Sequence, residues 1–321
     1  MNHEPHQPSL FDRLQSDKNV SAKAVFEKLK WSYSKRSKFE QCMRAYYYTY
    51  FGAMSNQDPL EKRIRFLKDL PNRYLNAGSI AHLVIKTFFK KAQQGDIWKP
   101  DRLTSWGLKM FRENRSFSQQ HPDGSYIPPG KYPPKLLMEY YYDFEDADVL
   151  YDEAEARLQV ALSNFATSQS FASFRFHGQQ PGAAVEEWIE LDSLPYVVTG
   201  QVDLAYKENN IVTVVDWKIG KDDADGEDSL QLAAYALWAT HYFGCDTDQI
   251  RIFKAFLGSA EVVSFPIDQS KLEAAKIRIF QDVERMSTVE AYGLRGMSSA
   301  FTPCYQPGVC LNCPFQELCY D

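Results

Sequence analysis

"GQVDLAYKENNIVTVVDWKIGK", residues 200–221, is a pair of β-branched, apolar runs around a short polar turn, with Asp203, Asp216 and Lys218 inside the runs. Side chains alternate along a strand, so Asp216 and Lys218 share one face while Thr213, Val215 and Trp217 take the other. Asn209-Asn210 supplies the turn, because Asn tolerates the positive φ that a two-residue type I′ hairpin requires. With that turn Glu208 faces Ile211, and counting back sets Asp203 opposite Asp216. Two carboxylates so placed repel: at about 4 Å and an effective dielectric near 20 the cost is on the order of 4 kcal/mol. Lys218 offsets one charge, and a divalent ion such as Mg²⁺ or Mn²⁺, which takes hard oxygen ligands, would offset the other. The alternative is a solvated face whose charges are ordinary surface alternation.

Working outward, strand patterns are expected at 184–191, 196–206, 211–217, 250–257 and 260–266. Residues 76–94 read as a helix capped by Asn76, with Ile80, Leu83, Val84 and Phe88 on its apolar face and His82 among them. Other helices are expected near 101–112, over 136–168, 229–243 and 268–287. The stretch 21–51 is helical but interrupted near Trp31, with "SKRSKFEQCMRAYYYTYF" as one helix bearing a Tyr stripe. That stripe suits a core face, or stacking on single-stranded bases. "SQQHPDGSYIPPGKYPPK", 118–135, is too rich in Pro and Gly for a regular element, and "KDDADGED", 221–228, is an acidic loop. The expected organisation is a loose tail over 1–20, a helical part over 21–95, and a helical and loop insertion over 96–180. A core over 181–290 and a Cys-rich segment over 291–321 complete it. Helices around a compact β-meander indicate an α/β or α+β fold with helical additions.

The 321 residues are 44% hydrophobic, enough for a substantial core, and carry a net charge of −6. The charge argues against a general polyanion binder but leaves room for a local basic groove. No apolar run is long enough to span a membrane, and the polar N-terminus lacks a signal pattern. A cytoplasmic protein is the expectation. Six cysteines, at 42, 245, 304, 310, 313 and 319, point in a reducing compartment to metal rather than disulfides.

His82 in "GSIAH", Asp203 in "GQVD", Asp216 and Lys218 in "DWK", and Gln231 and Tyr235 in "QLAAY" follow one another in an order that resembles the PD-(D/E)XK nuclease superfamily. The likeness is to its RecB-like exonuclease branch. It implies a restriction-endonuclease-like core with a central mixed β-sheet flanked by helices. It also implies that His82, Asp203, Asp216 and the Trp217 carbonyl ligate Mg²⁺ or Mn²⁺. Lys218 would orient or deprotonate the attacking water, and Gln231 and Tyr235 would contact the phosphate or position the strand. Glu186 matches a family glutamate, with Glu187 as the alternative.

Cys310-x₂-Cys313-x₅-Cys319 near the C-terminus lacks a fourth nearby partner. With Cys42 added, the set is similar to the iron–sulfur staple of AddB-like and CRISPR-adaptation nucleases, which implies a structural 4Fe–4S cluster. Cys304 could replace Cys42, zinc or no metal is the alternative, and Cys245 reads as an ordinary thiol. Lys35, Arg36, Lys38 and Arg44, with Lys90 and Lys91 further on, are candidates to track a phosphate backbone.

The resulting expectation is a metal-dependent deoxyribonuclease, an exonuclease on single strands or duplex ends, in DNA repair or recombination, CRISPR or phage defence. Without a P-loop motif, any helicase motor would be a partner. The competing expectation is a non-catalytic iron–sulfur DNA-binding or scaffolding subunit of a helicase–nuclease complex.

Overall fold

The computed structural model describes residues 29–54, 58–126, 128–130, 132–192, 194–220 and 229–320. The expected tail, the helical start at 21 and the acidic loop 221–228 lie outside them. The strands are β1 (Lys30–Trp31), β2 (Ala184–Leu191), β3 (Val197–Glu208), β4 (Ile211–Lys218), β5 (Ile250–Phe256) and β6 (Glu261–Phe265). The longer helices are α1 (Tyr33–Gln41), α2 (Met43–Tyr50), α3 (Pro59–Lys68), α4 (Arg73–Ala92) and α5 (Pro100–Gln120). After the short α6 (Met138–Tyr141) come α7 (Ala147–Thr167), α8 (Ala172–Gly178), α9 (Ser229–Phe243) and α10 (Gln269–Leu294), then the short α11 (Pro307–Cys310) and α12 (Glu317–Tyr320).

One mixed sheet organises these elements in the order β1-β3-β4-β5-β6, with β2 on the other edge of β3. Strands β2, β3 and β4 form the expected antiparallel meander, but α9 then crosses over to place β5 parallel to β4. The hairpin turns at Asn209 and Asn210, both in the left-handed region (φ 46° and 64°), and Glu208 pairs with Ile211. This is the type I′ geometry expected of Asn-Asn.

A core lies on each side of the sheet. One gathers Val212 and Val214 with α9, α10 and the Tyr46–Tyr48 stripe of α2; the other joins Val215 and Trp217 to α4, α5 and α7. The stretch 96–180 therefore supplies a packed layer of the sheet: Phe165, for one, sits edge-on to Trp217 at 5.4 Å. The Tyr stripe is core as well. Tyr46, Tyr47 and Tyr48 are buried, and Tyr47 and Tyr48 lie against Phe301 and Phe315, so these three rings are not open to a base, while Tyr50 is exposed.

Several expected helices differ in their ends. The helix of residues 76–94 begins at Arg73, where Asn72 caps it by accepting the Leu75 N–H at 2.9 Å. Asn76 is instead buried and accepts a bond from Asn114 at 2.7 Å. The helix near 101–112 continues to Gln120, shortening the loop, and the last long helix runs on to Leu294. The helix expected over 136–168 is two, divided around Asp143 (φ 52°). The break lets the Tyr141 hydroxyl reach Glu317 at 2.8 Å and that of Tyr142 reach the Pro314 carbonyl at 2.7 Å. Likewise "SKRSKFEQCMRAYYYTYF" breaks at Cys42, whose extended backbone (φ −163°, ψ 113°) separates α1 from α2.

Candidate active site

The site opens where β3 and β4 part. Their ladder ends at Leu204–Val215, and the same edge of β3 is taken up again by β1 at Val197–Val198. Between these points Thr199, Gly200, Gln201 and Asp203 line a cleft of about 740 Å³, together with Asp216, Lys218 and one face of α4. Past the ladder's end the Trp217 N–H is satisfied by the Asp203 side chain, Oδ2 accepting at 2.8 Å.

The strand faces also change here. On β2, Ala184 and Val185 belong to opposite cores, yet Ile189 and Leu191 share the core of Ala184, so the alternation slips by one residue. The slip coincides with Glu186, whose backbone is left-handed (φ 49°). On β3, Ala205 and Val202 share one core while Leu204 lies in the other, so both strands change face together without losing register. Glu186 falls opposite Asp203 between the pairs Val185–Leu204 and Glu187–Val202. A left-handed glutamate is strained, and strain of this kind collects at functional sites.

His82 comes from α4, where the apolar pattern around it faces the second core while the imidazole, a third exposed, turns to the cleft. Its Nδ1 lies 3.2 Å from both Glu186 Oε1 and Asp203 Oδ1. Ligand atoms of His82, Glu186 and Asp203 all fall within 4.8 Å of one another, the spacing of side chains able to share a metal ion. The Asp203 carboxylate, aided by Glu186, holds the His82 imidazole well above its ordinary pKa despite partial burial.

Asp216 is 2% exposed. Burial pushes its carboxyl up to about 6, Lys218 pulling it down and Asp203 adding to the rise. Lys218 Nζ lies 2.9 Å from Asp216 Oδ2 and donates to Gln231 Oε1 at 3.2 Å; Gln231 Nε2 donates to the Tyr235 hydroxyl at 2.7 Å. Burial, with the Asp216 and Asp203 charges, keeps the Tyr235 hydroxyl protonated. Gln231 and Tyr235 sit four apart on α9 and thus on one face. Asp216 Oδ2 meets the Lys218 ammonium, and a carboxylate has further lone pairs with which to take a second cation.

The structure thus brings His82, Glu186, Asp203, Asp216, Lys218, Gln231 and Tyr235 into one cleft. Trp217 turns its ring into the second core, leaving its backbone at the cleft. Of the two candidate glutamates, it is Glu186 whose carboxylate meets His82. Lys86 also lines the cleft, one turn beyond His82 on α4, and was missed in favour of the exposed Lys90 and Lys91; the i+4 spacing to His82 is its signal.

The basic residues near the N-terminus have partners inside the chain. Lys35 pairs with Glu290 at 2.6 Å and Arg36 with the buried Asp282 at 3.1 Å, while Arg44 donates to the Phe301 carbonyl at 2.7 Å. A phosphate would have to share these cations with those partners. Lys38 lies near enough to Cys313 to oppose the rise that burial imposes on that thiol, which reaches about 11.

A second, small cavity is lined by Cys42, Cys304, Cys310, Cys313 and Cys319. The break between α1 and α2 carries Cys42 into it, and Phe315, packed on Tyr48, holds the C-terminal segment there. Cys245 stands apart, its thiol 3.7 Å from the Ala239 carbonyl.

The family model for the PD-(D/E)XK nuclease superfamily matches residues 30–320, and the chain belongs to that superfamily. No curated protein matches it. Among the described residues no helix is long and apolar enough to cross a membrane.

Proposed function

We propose, from membership of a nuclease superfamily, that the chain is a Mg²⁺- or Mn²⁺-dependent deoxyribonuclease of the RecB-like kind that removes nucleotides from DNA strands or duplex ends. The observation that carries this reading is the gathering of carboxylates about cationic partners in one cleft: Glu186 and Asp203 on His82, Asp216 on Lys218. The close group of ligand atoms, with the Asp216 carboxylate in the same cleft, fits a divalent ion. His82, Asp203, Asp216 and the Trp217 carbonyl would hold it, with Glu186 beside them. Such an ion polarises a phosphoryl oxygen and lowers the pKa of bound water.

The chain's own groups supply the rest. Lys218, steadied between Asp216 and Gln231, directs an ammonium at the cleft, where it orients or deprotonates the attacking water and stabilises charge developing on the phosphate. Gln231 and Tyr235 fix that lysine and contact the phosphate beside it. Cleavage is tested on labelled single- and double-stranded DNA with Mg²⁺ or Mn²⁺. Asp216→Ala and Lys218→Ala should each lose on the order of 10²-fold or more. Cleavage by the variants equal to wild type, or none by wild type on any substrate, rejects the enzyme.

We also propose that Cys42, Cys310, Cys313 and Cys319 hold a structural 4Fe–4S cluster. Supporting this, the four line one small cavity together. Cys304 lines the same cavity as a reserve fourth ligand. Iron and sulfide analysis of anaerobically purified protein checks the assignment, and stoichiometric zinc without iron rejects it. In a repair, recombination or defence setting, a helicase would be a separate partner.

A further inference from the structure

Seven residues of α4 line the cleft, and four of them, Tyr74, Gly78, His82 and Lys86, follow one another at intervals of about one turn. His82 belongs to the reacting end of this stripe, and Tyr74 stands at the opposite end with no part in the chemistry. Tyr74 is 50% exposed; Tyr126, Tyr132, Tyr242 and Tyr305 are exposed too, but among the described residues Tyr74 is the exposed tyrosine that lines this cleft. An aromatic ring left at the mouth of a cleft is unexplained by packing.

Its neighbour explains how the ring is held. The Arg73 guanidinium lies over the Tyr74 ring, 4.3 Å from the centroid, and donates to the Tyr74 hydroxyl at 3.0 Å. Arg73 is itself anchored: it pairs with Glu139 Oε1 at 2.9 Å, and its backbone N–H donates to the same oxygen at 3.0 Å. Glu139 is fully buried and takes a third bond, at its other oxygen, from the Tyr151 hydroxyl at 2.8 Å. An anchored cation thus covers one face of a ring that lines the cleft. A ring restrained in this way loses little freedom when a planar ligand stacks on it.

We propose that Tyr74, backed by Arg73, is a stacking platform that seats an unpaired base of the DNA strand entering the cleft. Tyr74 and His82 are eight residues apart on one helix, about 12 Å along its axis. At about 3.4 Å per stacked nucleotide this places the seated base roughly three nucleotides from the phosphate near His82. A base inside a duplex is already stacked on both sides, so the platform favours single strands and frayed ends. Base–aromatic stacking is sequence-tolerant, since every base has a flat face. The proposal rests on the nuclease reading for which strand enters the cleft, but it concerns binding and is read separately from cleavage.

Fluorescence anisotropy with a labelled single-stranded oligonucleotide, divalent ions chelated, tests it on the full chain. Tyr74→Ala should weaken single-strand binding about ten-fold while changing blunt-duplex binding far less, and Tyr74→Trp should restore it. Moving a single abasic site along the oligonucleotide should locate one position whose loss costs wild type as much as Tyr74→Ala does. That abasic site should cost the Tyr74→Ala variant nothing further. Unchanged single-strand binding by Tyr74→Ala, equal weakening for single strand and blunt duplex, an abasic effect that adds to the substitution, or a wild type that binds no single strand overturns the platform. Wild type that binds single strands through Tyr74 but cleaves no DNA with Mg²⁺ or Mn²⁺ overturns the nuclease reading alone.

Discussion

The Asp203 carboxylate accepts the backbone N–H of Trp217 at 2.8 Å, where a continuing ladder would have paired Trp217 with Val202. A side chain thus closes the sheet at the point where β3 and β4 separate, and the separation is what makes the cleft. A member of the candidate metal group is thus also the residue that lets the strands part without orphaning a buried donor.

Two substitutions at Asp203 should therefore behave differently. Asp203→Ala leaves the Trp217 N–H unpaired and should destabilise the metal-free protein by about 1–3 kcal/mol. Asp203→Asn keeps an acceptor oxygen there and should cost far less. Both should abolish metal-dependent cleavage. Urea denaturation beside a nuclease assay separates the two roles, and equal destabilisation by Ala and Asn would contradict the bond's importance.

Asp216 carries a pH signature. Burial pushes its pKa up to about 6 in the folded chain, above an unfolded value of about 3.9. A raised folded pKa contributes stability that is fully present below the unfolded pKa and lost as pH rises through about 6. His82, also held above its ordinary value, acts in the same direction. With divalent ions chelated, Asp216→Asn should exceed wild type in stability by about 1–3 kcal/mol at pH 7.5, and the gap should close towards pH 4. A gap independent of pH would contradict the assignment.

Gly78 has no packing reason to be glycine: a Cβ added there meets nothing within 4 Å. Ala is favoured over Gly within a helix by about 0.5–1 kcal/mol, so Gly78→Ala should raise the melting temperature slightly. It should also lower DNA cleavage about 10-fold or more, because the new methyl projects into the cleft beside His82 where a strand must approach closely. Full activity in the variant would show that the strand passes elsewhere.

The cysteine cavity links α2 to the C-terminal segment through Cys42, with Phe315 packed on Tyr48. Cys42→Ser and Cys313→Ser should each lose bound iron, lower the melting temperature and open residues 291–320 to limited proteolysis. Cys245→Ala, outside the cavity, should do none of these. Iron retained in Cys42→Ser but lost in Cys304→Ser would reassign the fourth ligand to Cys304.

Much of this site was legible because its signals are local. The Asn-Asn turn sets the register of β3 and β4 within a few residues, and Gln231 and Tyr235 share a face of a helix whose ends, 229 and 243, follow from its apolar run. The helix breaks at Cys42 and Asp143 were not legible, since both serve contacts with residues 301–319 far along the chain. Propensity alone favours continuing those helices. Lys35, Arg36 and Arg44 looked available for phosphate because their partners Glu290, Asp282 and the Phe301 carbonyl are remote in sequence.

By itself the sequence determined the hairpin, its register and the strand carrying Asp216 and Lys218, because strand alternation and turn chemistry act over a few residues. Only the tertiary structure decided that β3 and β4 diverge at Asp203, that Glu186 takes a left-handed backbone opposite it, and that α4 brings His82 to both. Those outcomes depend on how helices from distant parts of the chain pack on each side of the sheet. Such contacts are selected by burial and shape, which no local pattern encodes.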